Sequence, residues 1–139
     1  MEKAVSLRDS DSSIAAIWAV FDKDEFYLAP AIEKALDNRI GVAWSNQAFE
    51  VWLILHFEFF TREINRTKYR EILEKHLESE YEKNDRNLFD KTFAKIEVAI
   101  ENAKRGYQQH IAHGHEPDSA CSCTTVYKLV EELLKWIED

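Results

Sequence analysis

Between Ile17 and Phe26 the chain reads I-W-A-V-F-D-K-D-E-F, five apolar residues followed at once by three acids in four positions. A continuous apolar run this short, closed off by polar residues, fits a strand buried on both faces. Such a strand belongs to a covered sheet of the parallel kind. Carboxylates at the carboxyl end of such a strand sit where open α/β sheets hold their ligands. Asp22 and Asp24 lie two residues apart, so on an extended strand they point the same way. Two like charges so placed call for a shared proton or a cation. Magnesium suits them, because it binds through one or two carboxylates and keeps several waters. Read alone, D-x-D is a common triplet, and an ordinary acidic loop after a strand is the reading it favours.

The neighbouring segments build on this strand. Pro30 suits a first helical turn, Ala31, Ile32, Ala35 and Leu36 follow at helical spacing, and Asn38 to Gly41 ends the helix. A second strand is expected over Ile40 to Trp44. Strand, helix, strand within about thirty residues is a βαβ unit, with a right-handed crossover and a parallel pair. Ser45 to Phe57 is expected as a helix capped by Ser45 or Asn46 and apolar almost all round, hence buried. Within it, His56 is expected as a hydrogen-bonded core histidine sharing a face with Phe49, Trp52 and Leu53. For Glu50, a paired structural carboxylate and a functional one are equally open readings. Upstream, Met1 to Ser13 is polar, with a short strand expected at Ala4 to Leu7. Downstream the pattern is helical: a helix after Thr67, a long one from Asn87 to His110 with Phe89, Phe93, Ile96, Ile100, Ala103 and Tyr107 as its stripe, and a last one to about Glu138 capped by Thr124 or Thr125.

The 139 residues suit one domain, 1–139, with a βαβα core over 14–58 and a helical part over 66–139. The fold class expected is α/β, a small parallel sheet followed by a mostly helical C-terminal half. A balance of 18 basic against 26 acidic residues, net −8, excludes a basic, sequence-independent nucleic-acid coat. It leaves room for an enzyme that meets phosphate through a bound cation. No apolar stretch approaches a membrane span and the first residues carry no apolar core of an export signal, so no membrane partner is expected. With two cysteines and no such signal, a cytoplasmic location is expected. His110, His113, His115, Cys121 and Cys123 fall within fourteen residues, but one residue between the cysteines is short of the usual zinc spacing. Zinc is therefore disfavoured there, against an incidental loop.

The blocks W-A-V-F-D-K-D-E-F and I-G-V-A-W-S-N-Q-A-F-E-V-W-L-I-L-H-F together resemble the RloB-like family, proteins found beside restriction–modification and abortive-infection genes and related to Toprim-type folds. The S-N-x-x-F-E-x-W stretch, carried by Ser45, Asn46, Phe49, Glu50 and Trp52, is the distinctive part. The resemblance implies a Toprim-like sheet, magnesium or manganese on Asp22 and Asp24, and Glu50 as a third catalytic group. It implies that Ser45 and Asn46 serve phosphate or an outer-shell water, and that Lys83, in Y-E-K-N-D, approaches a phosphate. The E-G-E-x-T-E-like opening of the family is not found, so the chain is expected to resemble the later two-thirds of a member, with its catalytic Glu supplied from elsewhere or by Glu25.

Two functions follow as expectations. One is a metal-dependent, nuclease-like component of bacterial anti-phage defence acting on nucleic acid or a nucleotide. The other is a non-catalytic module that partners a defence ATPase. A thin sheet with an exposed edge invites pairing, so a homodimer or hetero-complex through that edge is expected.

Overall fold

In the computed structural model, residues 1–23 and 27–137 are described. The apolar run does form the first strand, β1 (Trp18–Asp22), and it pairs in parallel with β2 (Gly41–Asn46) through the helix α2 (Leu28–Asp37). The register sets Trp18 beside Gly41 and Asp22 beside Ser45. Only glycine suits that first pairing, because a Cβ on Gly41 would lie 2.5 Å from the Trp18 ring.

The sheet departs from the expected all-parallel form. A third strand, β3 (Cys123–Thr124), pairs antiparallel with β2, giving the order β1-β2-β3. Two residues carry no periodicity, so β3 left no pattern in the sequence. Its pairing also corrects the expected helix over Ser45 to Phe57. Ser45 and Asn46 face Thr124 and Cys123 as the last residues of β2, and the helix, α3 (Glu50–Ile54), starts only after them. Sheet pairing wins because both polar side chains find partners there. Ser45 Oγ lies 2.8 Å from Thr124 Oγ1, and Asn46 Nδ2 donates to the carbonyls of Pro117 and Asp118.

Being central, β2 is covered on both faces, and successive residues point to opposite sides. Ala43 enters the main core with Val51, Ile54, Tyr69, Leu73, Ala99 and Val126. Trp44 enters a smaller cluster with Leu28, Ala120 and Cys123. As the edge strand, β1 is only half-buried, with Val20 53% exposed, which corrects the expectation that this strand is buried on both faces.

The N-terminal segment is a helix, α1 (Glu2–Ser10), rather than a strand at Ala4 to Leu7. It buries none of its residues and is tied to the end of α2 by Arg8 Nη1 donating to the Asn38 carbonyl. After α3 come α4 (Thr67–Leu77), α5 (Leu88–Thr92), α6 (Ile96–Ala112) and α7 (Val126–Ile137). The single helix expected over Asn87 to His110 is broken at Phe93–Lys95 by a turn of 3₁₀ helix. There the Thr92 hydroxyl donates to the Leu88 carbonyl, a local bond that competes with the helical ladder.

Candidate functional site

Asp22 ends β1, and its carboxylate meets the start of α3, where the Phe49 N–H donates to it. Desolvation by burial raises the Asp22 pKa above its ordinary value. The Phe49 hydrogen bond opposes that shift, the Glu50 charge adds to it, and the Lys83 and Arg66 charges oppose it. These causes describe a compact site: two carboxylates that feel one another, with two cations beside them. Arg66, just ahead of α4, holds its guanidinium 3.8 Å from Asp22 Oδ2. Tyr81, buried to 5% exposure in the main core, brings its hydroxyl to the site's floor and donates to Glu50 Oε1 at 3.1 Å. Burial first, then the Glu50 charge, push the Tyr81 pKa upward, so the phenol keeps its proton and remains a donor.

Of the expected site residues, Asp22, Glu50 and Lys83 come together. Asp24 and the substitute acid Glu25 lie outside the described residues. Ser45 and Asn46 do not sit at a helix N-terminus. They are 1% and 2% exposed in β2, bonded to β3 and to the Pro117–Ser119 turn. Lys83 is exposed on the loop between α4 and α5, near enough for its charge to act on Asp22. Arg66 is not marked in the sequence, because a single arginine in I-N-R-T carries no periodicity. Tyr81 shares the Y-E-K segment with Lys83, and its role became visible only through the bond to Glu50.

His56 is the core histidine expected: 2% exposed, with Nδ1–H donating to the Trp52 carbonyl at 3.0 Å and its pKa lowered by burial. In the His/Cys loop, His110 Nε2 lies 3.1 Å from the Ser122 carbonyl and its Nδ1 2.8 Å from His115 Nδ1. Cys123 is buried in β3, with its thiol pushed up to about 12 by desolvation. Among the described residues, no three His, Cys, Asp or Glu side chains gather as a metal ion would require.

The Asp22–Glu50 pair supplies two hard oxygen donors, and a magnesium ion needs no more than one or two carboxylates when waters complete its shell. Asp22 is drawn partly out of water and carries the Glu50 charge beside it, so the donor set fits such an ion. No helix of the described residues is long and apolar enough to cross a membrane.

Comparison with known proteins agrees with the motifs. A family model described as RloB-like protein matches residues 1–133, which takes in α1, the sheet and most of α7. No curated protein and no solved structure matches the chain.

Proposed function

Since the chain belongs to the RloB-like family, we propose that it is a magnesium- or manganese-dependent, Toprim-like component of bacterial anti-phage defence that processes phosphodiesters. The observation that carries this reading is the meeting of Asp22 and Glu50 at the carboxyl end of a parallel strand, with Arg66 and Lys83 beside them. Asp22 and Glu50, with Asp24 next in sequence, would hold the ion, and the ion when bound would polarise a phosphodiester and lower the pKa of water. Tyr81 fixes one oxygen of Glu50 and keeps it turned into the site. Arg66 and Lys83 supply the positive charge that a phosphate needs in an otherwise acidic molecule, Arg66 through a planar fork suited to phosphate oxygens. Nucleic acid, RNA or DNA, or a nucleotide would be the substrate.

Manganese titration by calorimetry tests this reading. Saturable binding in the wild type that is lost in Asp22→Asn/Asp24→Asn is expected. Equal heats in the two proteins would show the acids to be inert and would remove the metal-dependent function.

A second reading, a non-catalytic module for a partner such as a defence ATPase, is favoured by one observation. Among the described residues, no strand pairs with the outer edge of β1, and an open edge is a template for another chain. Such a module would tolerate Asp22→Asn with no loss of partner binding in a pull-down with the purified ATPase.

A further inference from the structure

We propose that the groove between α3, α5 and α7 receives Trp136 of a second copy of this chain, in a reciprocal two-fold contact in which the indole Nε1–H donates to His56 Nε2. The groove measures about 420 Å³ and has Phe49, Trp52, Leu53 and His56 on one side and Val130 and Leu134 on the other. That is room for one large aromatic side chain and its surroundings. His56 is the reason to expect a donor. Its Nδ1–H is given to the Trp52 carbonyl, which leaves Nε2 with a lone pair. None of the described residues bonds Nε2, and no sealed side-chain nitrogen or oxygen among them lacks a partner. Nε2 is therefore not fully sealed, and the cavity that His56 lines is this groove. Burial holds the imidazole neutral, so the acceptor persists at physiological pH.

The rim supplies the matching piece. Trp136 is 65% exposed, and its indole is an apolar body with one N–H donor and no acceptor. It adjoins Ile137 on α7, and the groove residues Phe89, Phe93, Leu133 and Ile137 are 64%, 48%, 52% and 72% exposed. At about 150–250 Å² per aromatic side chain, the three rings alone present roughly 350 Å². With Leu133 and Ile137 the patch reaches the order of 500 Å², at the upper end of what an unpartnered monomer carries. A standard interface covers about 800 Å² per partner, of which somewhat over half, about 450 Å², is apolar. The patch meets that requirement without help from elsewhere. Helix α7 carries Trp136 and also lends Val130, Leu133, Leu134 and Ile137 to the groove, so one element offers both halves of a self-complementary, isologous contact.

Sedimentation velocity on the full chain, from micromolar to near-millimolar concentration at physiological salt, tests the proposal. A monomer–dimer equilibrium is expected. Trp136→Arg, at an exposed position, should raise the half-dissociation concentration at least about tenfold, as loss of a buried tryptophan anchor does. Trp136→Phe, which keeps a ring but loses the donor, should fall between the two, and circular dichroism should be the same for all three. A monomer at every concentration would overturn the proposal and leave the groove to another occupant. A dimer that Trp136→Arg leaves unchanged would also overturn it, and would place association at another face, such as the β1 edge.

Discussion

Asp22 shows at the scale of one residue how a site is held at a cost to the fold. Its carboxylate is drawn out of water and set against Glu50, so its pKa in the folded chain lies above the value in the unfolded one. The folded state then binds the proton more tightly. Above both pKa values the ionised group disfavours folding, and the penalty fades as the pH falls through the folded pKa towards the ordinary value of 3.8. Asp22→Asn is therefore expected to raise the melting temperature at neutral pH, with the gain shrinking as the solution is acidified through the carboxylate range. Melting curves of both proteins from pH 7 to pH 3 check this. A substitution that destabilises at neutral pH would mean that Arg66 and Lys83 outweigh desolvation. The same residue was legible in the sequence because a hydrophobic run ends on it. Arg66 was not, because what makes it part of the site is a distance of 3.8 Å across the fold and not a spacing along the chain.

At the scale of elements, the helices and strands that the sequence announced are those with long apolar periods. α2, α4 and α7 fall close to their expected positions, and β1 and β2 are parallel as the βαβ spacing required. What stayed hidden depends on partners far away in sequence. The start of α2 is an example. Its free N–H groups at Leu28 and Ala29 are not capped locally but by the carboxylate of Asp118, some ninety residues on, and that carboxylate also lies 3.8 Å from Lys23 Nζ. A helix N-terminus favours a negative charge and an acceptor, and here one side chain from the Pro117–Ser119 turn supplies both. Asp118→Ala is expected to cost on the order of 1 kcal/mol, as loss of a helix cap does, read as a lower urea midpoint with an unchanged slope. The extent of β2 escaped the sequence for a related reason. Ser45 and Asn46 are good caps in the abstract, and only the hydroxyl of Thr124 and the carbonyls at 117 and 118 decide that they end a strand.

The whole molecule is organised by its central strand, and that strand is completed from both ends of the chain. β1 and α2 lie within the first forty residues, whereas β3 and the Thr125 bonds to the Trp44 backbone, N–H to carbonyl at 2.8 Å and hydroxyl from N–H at 3.0 Å, come after residue 122. A ribosome delivers Asp22, Glu50 and Tyr81 well before it delivers these closing contacts. Non-local pairing of this kind forms late, because the intervening loop must be ordered first. During synthesis the two carboxylates would therefore stay unassembled until the residues past 123 had emerged. A polypeptide arrested at residue 120 is expected to be cut within 41–57 by a non-specific protease as fast as an unfolded control, while one extended through residue 137 resists. The order of translation would thus act as a timer, holding Asp22 apart from Glu50 until the residues of β3 and α7 are in place.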